Sequence, residues 1–474
     1  MHRRVLFALL RRRWALLAVL LGTVLLLLPT PAGLTLQGYR ILVIVIVAVI
    51  LWVTEAIPLP AVAFLIAAAQ VLLVHKAPND VVQSFFGDAV FFIMGALMLA
   101  VALVRQRVDR RIAFALTRIS GPKTKWVAFT ILAISAVMAS FIADHTVAAL
   151  MLPVALALVQ ASGEDEAGKQ RLAKLLLFCV AYGCAAGGVG TPSGGARNII
   201  MVGYWEQLFD THVGYATWMK FAYPIVLIQI PAAFAIVWFG LRPKREELTA
   251  AVTALREDVA EEGHMGVRQW AAVGIFVATL VTWIAAGRTL GLGVIAVLGA
   301  SCYLIFGLVE WSDYNSGVNW GVVLVYAAAI SLGGAMKETG AAEWVAVTTL
   351  EQLAAIGIKG GIALLAVFSL VTVLFTNIMS DGATVAVVAP ILLEMAGRAG
   401  LHPVVAGLVV AISSAFAYLT VFGTPPSMIV YGSGHLRTTD FVRLGWRMAI
   451  MSIVVLLLTA KLYWPHLAVP QAGM

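Results

Sequence analysis

Two carboxylates stand at matching places in the two halves of this 474-residue chain, each inside a long apolar stretch. Asp144 lies in SFIADHTVAALMLP and Asp381 in NIMSDGATVAVVAP, and a proline follows each acid nine residues later, at Pro153 and Pro390. Both segments are therefore displaced by the same 237 residues. A charged side chain at membrane depth costs ~2.5–3.5 kcal/mol on insertion scales, so acids there line an ion or substrate path rather than face lipid. Duplicated acids in duplicated segments point to a binding site between two structural repeats, the plan of a secondary transporter.

The residues around the acids suggest two kinds of chemistry. Arg197, in GGVGTPSGGARN, is a basic residue at membrane depth, and His145 directly follows Asp144. A guanidinium fork gives bidentate hydrogen bonds to a planar oxyanion. An Arg197–Asp144 pair would fill the place of one cation and leave a free guanidinium face, or His145, for an anion. Near Asp381 stand the oxygen donors Thr376 and Ser380, with no cation close in sequence. One carboxylate among neutral oxygens suits a hard cation such as sodium, and the acid or His145 could instead carry a proton. Blander readings are a buried structural pair for Asp144 and Arg197, a backbone hydrogen bond for His145, and helix packing for Asn377.

Holding such residues inside a bilayer requires an apolar scaffold, and the composition supplies one. The chain is 61% hydrophobic and 12% charged, with mean hydropathy +0.96, about half the charge of a soluble domain. Apolar runs able to span hydrocarbon fall near 14–30, 39–57, 60–75, 88–104, 170–189, 220–241, 269–286, 289–307, 319–336, 402–422 and 446–465. Two further regions, 126–160 and 361–392, each consist of two arms around a polar tip and read as re-entrant helical hairpins. The alternative is two ordinary spans with a polar loop. The fold class expected is an all-α polytopic membrane protein with about 11 transmembrane helices and two re-entrant hairpins. Non-helical tips at that depth require burial in protein or a cavity.

The spans at 170–208 and 402–435 are interrupted by GGVGTPSGGARN (187–198) and FGTPPS (422–427). Proline removes a backbone donor and glycine permits an unwound chain. Freed carbonyls can ligate a cation, and half-helix N-termini favour an anion. Two such breaks beside two hairpins argue against simple proline kinks. The order of elements divides the chain into an N-terminal basic segment and first helix (1–38), a first repeat (39–241), a charged helical linker (242–268) and a second repeat (269–470). Amphipathic pieces at 104–119 and 341–356 are expected along opposite membrane surfaces. An odd number of crossings between the repeats inverts their topology.

Most of the 32 basic residues fall in segments on the N-terminal side of the membrane, including the Arg cluster before the first span and the run from Arg105 to Lys125. The positive-inside rule then puts the N-terminus in the cytoplasm of an inner (plasma) membrane and the C-terminus outside. The +8 charge reports this topology and contact with inner-leaflet lipid, not nucleic-acid binding. The three cysteines lack metal spacing, and no nucleophile–base constellation suggests an enzyme.

At these residues the chain resembles the divalent-anion:sodium symporter family. The likeness runs over nearly its whole length, through Trp52-x-Thr54-Glu55-Ala56-Ile57-Pro58-x-Pro60, the glycine pattern at Gly187, Gly188, Thr191 and Gly194, Gly423-Thr424-Pro425-Pro426, and Ile429 to Gly434. The resemblance implies a homodimer with a scaffold and a moving transport domain of elevator type. It also implies that Gly195, Thr424 and Pro425 at the breaks and Ser380 and Gly382 at the second tip contact substrate. Gly194, Thr376 and Gly423 would help hold cations with Asp144 and Asp381. Departures are plain. Where the family carries Ser-Asn-Thr at each tip, this chain has Ala143-Asp144-His145 and Ser380-Asp381-Gly382. Where the family carries Thr-Pro-Pro-Asn, the first break reads Gly195-Ala196-Arg197-Asn198 and the second ends in Ser427.

The function expected is sodium-coupled symport of a small divalent or oxyanionic solute, dicarboxylate- or sulfate-like. The alternatives are a proton-coupled symporter or anion exchanger on the same fold, and a cation/proton antiporter. A fixed positive charge at Arg197 argues against the last.

Overall fold

The computed structural model describes residues 2–54, 56–108, 120–241, 247–253 and 264–469. Described secondary structure is helical apart from one isolated bridge between Lys123 and Glu247. The first half contains α1 (His2–Leu27), α2 (Leu36–Thr54), α3 (Leu59–Val74), the short α4 (Pro78–Phe85), α5 (Asp88–Arg105), α6 (Thr124–Phe141), α7 (Asp144–Gln160), α8 (Glu166–Gly187), α9 (Ala196–Phe209) and α10 (Tyr215–Leu241). The second contains α11 (Val267–Leu290), α12 (Leu292–Ile305), α13 (Trp311–Gly317), α14 (Trp320–Glu338), α15 (Ala341–Ala355), α16 (Gly361–Thr376), α17 (Asp381–Arg398), α18 (Pro403–Ser414), α19 (Pro425–Gly432) and α20 (Thr438–Leu462).

Every expected span coincides with a helix. Among the described residues seven helical stretches are long and apolar enough to cross a membrane, and six apolar helices are shorter. The protein is an all-helical integral membrane protein. Outward-facing Leu16, Leu20, Phe64, Leu72, Leu227 and Phe239 stay exposed, as lipid-facing side chains must. Inside, helices approach through small residues, the way membrane helices gain close packing. A Cβ on Gly187 of α8 would stand 1.9 Å from the carbonyl oxygen of Ala136 in α6, and one on Gly95 of α5 would stand 2.5 Å from the Cβ of Ala296 in α12.

The hairpins are α6–α7 and α16–α17, packed arm against arm. Their arms run to 18, 17, 16 and 18 residues. At 1.5 Å per residue an 18-residue arm nearly matches the hydrocarbon thickness, so arm length alone does not distinguish a hairpin from two spans. The tips are short: only Ile142 and Ala143 separate α6 from α7, and residues 377–380 separate α16 from α17. The interrupted spans are α8–α9, with one 3-10 turn at Pro192–Gly194 in the gap, and α18–α19, with residues 415–424 unwound.

Of the expected surface helices, 341–356 is α15, whereas 109–119 of the first lies outside the described residues. The linker is described only in part. Within 247–253, Leu248, Ala251 and Val252 are buried, and the Leu248 amide donates to the carbonyl of Pro122 at 2.7 Å. Its other segments, 242–246 and 254–263, lie outside the described residues, as does Glu55.

Candidate functional site

Each acid begins the second arm of its hairpin. Asp144 is the first residue of α7 and Asp381 the first of α17, where Ser380 caps the helix by accepting from the amide of Ala383. A carboxylate at that position meets the positive end of the helix dipole. Arg197 is the second residue of α9, just after the first break, and is 1% exposed. Its Nη1 donates to Asp144 Oδ2 at 3.0 Å and also to Asp381 Oδ2. The tips of both hairpins and the start of one half-helix therefore meet at a single guanidinium. Sequence reading paired Arg197 with Asp144 alone and left Asp381 without a cation; the fold corrects this by folding the second tip onto the same nitrogen.

Glycine makes room for that guanidinium. A Cβ on Gly195 would stand 3.0 Å from Arg197 Cζ and Nη1, and one on Gly188 would stand 2.7 Å from Nη2. Nε and Nη2 of Arg197 are buried and have no hydrogen-bond partner. Buried donors are nearly always satisfied, so this free edge is available to an anion. Two carboxylates and one guanidinium leave one net negative charge in a region shielded from solvent.

The breaks are tied to the tips by matching bonds. Thr191 Oγ1 donates to the Ser140 carbonyl, and Thr420 Oγ1 donates to the Asn377 carbonyl at 3.0 Å. Ser140 and Asn377 are themselves separated by the 237-residue displacement of the acids. Gly195 and Thr424 both precede a half-helix in extended conformation, with φ −165° and −135°. In the first half Tyr215 and Ser193 extend the network, and Asn198 Nδ2 bonds the carbonyls of Gly188 and Thr191. In the second, Asn377 Oδ1 accepts from the Leu419 amide, and the Asp381 amide donates to the Gly423 carbonyl at 3.2 Å. Asn377 thus holds tip to break and is more than a packing amide.

The remaining expected residues sit as follows. His145 is partly exposed, with Nδ1 3.7 Å from Asp144 Oδ1. Gly194 lies against the carbonyls of Gly188 and Ala139. Gly382 donates its amide to Asp381 Oδ1 at 2.7 Å. Thr424 bonds the Ser427 hydroxyl at 3.0 Å, and Pro425 opens α19. Thr376 does not turn its hydroxyl toward Asp381; it donates to the carbonyl of Ser414 at 2.7 Å, bracing the second break. All the predicted site residues except His145 and Pro425 are therefore buried at, or hydrogen-bonded within, the tips and breaks. Sequence reading missed Tyr326 of α14, whose ring and hydroxyl lie against Gly382, the residue after Asp381. Its only signal was a phenol in a largely apolar span, which also carries Ser331.

The family described as "Sodium:sulfate symporter transmembrane region" matches residues 9–469. The chain belongs to the sodium:sulfate symporter family. Among relatives, the sodium-dependent high-affinity dicarboxylate transporter 3 of Caenorhabditis elegans is 26% identical, covering 88% of this chain and 81% of the relative. The sodium-dependent dicarboxylate transporter SdcS of Staphylococcus aureus is 23% identical, covering 95% and 91%. Two solved transporters share the fold: MtrF of Neisseria gonorrhoeae (TM-score 0.61, 15% identity, 93% of this chain and 97% of that one) and YdaH of Alcanivorax borkumensis (0.56, 14%, 81% and 88%). As a member of the sodium:sulfate symporter family this chain is a membrane transporter and not an enzyme.

Proposed function

We propose that this chain is a sodium-coupled symporter for a small dianion, a dicarboxylate or sulfate-like oxyanion, bound between the hairpin tips and the breaks. The carrying observation is the guanidinium shared by Asp144 and Asp381, with two buried donors unused. One bound monovalent cation neutralises the remaining charge of the cluster, and the anion then meets the free edge of Arg197 and the N-termini of α7, α9, α17 and α19. The names of the relatives support sodium as the coupling ion and a dicarboxylate as cargo. In this reading Asp144, Asp381 and the carbonyls around Gly194 and Gly423 serve the cation, and His145, Ser380, Gly382, Thr424 and Pro425 border the anion.

The matched tip-to-break bonds support two inverted repeats, 39–241 and 269–470, joined by a cytoplasmic linker. With them go a cytoplasmic N-terminus, an outside C-terminus, an elevator-type movement of the two hairpins against the other helices, and assembly as a homodimer. A second reading keeps the site and replaces sodium by a proton, because one proton cancels the same single charge.

Uptake into proteoliposomes separates these. Accumulation of succinate or sulfate driven by an inward sodium gradient at fixed pH supports the first reading. Accumulation driven only by a pH gradient replaces it with the second. Cation exchange with no anion requirement sinks both.

A further inference from the structure

Tyr326 belongs to neither hairpin nor break. It sits on α14, which packs against α17 and α9. A Cβ built on Gly382 would stand 2.5 Å from Tyr326 Cε1 and 2.7 Å from its hydroxyl. The bare glycine therefore lets a phenol approach the tip that carries Asp381. At that tip Gly382 supplies no side chain, and its amide is already committed to Asp381 Oδ1. The Ser380 hydroxyl caps α17. Tyr326 brings a neutral donor to the same spot and remains partly accessible. Arg197, bound to Asp381 and Asp144 through Nη1, has two unpartnered buried donors.

We propose that Tyr326 is an anion ligand and specificity-determining residue of this site, its hydroxyl donating to one oxygen of the dianion that Arg197 holds by another. This rests on the anion-binding reading above. A neutral donor adds affinity for an oxyanion without adding charge, so it leaves the cluster's balance with its cation unchanged. The ring, wedged over Gly382, also closes the pocket at that end and sets how long a dianion fits.

The test uses the full-length protein, with succinate and sulfate as probes, in two measurements: sodium-driven uptake and thermal stabilisation of the purified protein by each anion. In Y326F the ring still packs on Gly382, so the unligated protein should unfold at the wild-type temperature. The KM of the better anion should rise by about tenfold or more, the loss expected for one hydrogen bond to a charged group. The sodium concentration giving half-maximal uptake should stay put. G382A, whose methyl displaces the ring edge, should weaken anion binding in the wild-type background and have no further effect in Y326A. Equal KM and equal stabilisation by anion in Y326F and wild type overturn the role of Tyr326 while leaving the symporter reading standing. A wild-type protein that neither binds nor moves either anion overturns both.

Discussion

Asp144 and Asp381 accept from the same nitrogen, Nη1 of Arg197. One acid comes from each half of the chain and the base from the first break, so three elements far apart in sequence are held by one side chain. Removing one partner of a buried ion pair costs about 3–5 kcal/mol, because the charges left behind are uncompensated. Arg197→Ala should lose stability on that scale and abolish anion uptake. The triple variant Asp144→Asn, Arg197→Ala, Asp381→Asn carries no stranded charge and should recover most of the stability but none of the uptake. Thermal unfolding in detergent with parallel uptake assays checks this; a stable, active Arg197→Ala would remove Arg197 from the site.

In the symporter reading proposed above, the charge count of the cluster sets the number of coupling ions. With Arg197 already on both acids, one negative charge remains, and one monovalent cation cancels it. Sodium activation of uptake should follow a Hill coefficient of about 1, since a single bound ion has no partner with which to cooperate. Asp144→Asn removes the residual charge. At ~4 Å a unit charge contributes roughly 1–4 kcal/mol depending on the local dielectric, so this variant should need about tenfold more sodium or beyond for half-maximal uptake. A wild-type Hill coefficient near 2 would mean that Arg197 does not stand in for a cation.

The tip-to-break bonds are also open to measurement. Thr420→Val deletes the donor to the Asn377 carbonyl and should cost about 1 kcal/mol, the usual net worth of one such bond. Thr191→Val should cost more, because Thr191 also accepts from the Tyr215 hydroxyl at 3.0 Å and neighbours Ser193. Chemical or thermal unfolding of both variants gives the comparison, and equal effects would contradict the unequal networks.

How much of this was legible in the sequence follows from what each signal depends on. The spans and the paired arms around each polar tip were readable because apolar runs and polar tips are local. The two breaks were readable because Pro and Gly interrupt a helix wherever they fall. Asp144 and Asp381 announced themselves by their cost in hydrocarbon. The sharing of Arg197 was not legible: Asp381 is 184 residues from it, and nothing local tells which acid a guanidinium reaches. Thr376 shows the same limit, since a threonine five residues before an acid looks like a ligand until the neighbouring α18 offers the Ser414 carbonyl. Tyr326 was missed because its contact is with a glycine, which has no side chain to suggest a partner.

Gly195 gives the sharpest test of how tightly the guanidinium is placed. Its backbone is extended, with φ −165°, a conformation that alanine adopts freely, so Gly195→Ala adds bulk without backbone strain. The added Cβ would stand 3.0 Å from Arg197 Cζ and Nη1, closer than ordinary contact. A flexible side chain could swing away, but this one is held by two carboxylates and can yield only by lengthening a bond to one of them. Losing one hydrogen bond between charged groups corresponds to roughly tenfold to a hundredfold in affinity, and uptake at low anion concentration should fall by that factor. Gly432→Ala is the control, because nothing lies within 4 Å of the Cβ it would add, and it should transport as wild type. Uptake by Gly195→Ala equal to that control would mean that the guanidinium has slack, and that its contact with both acids is not needed for transport.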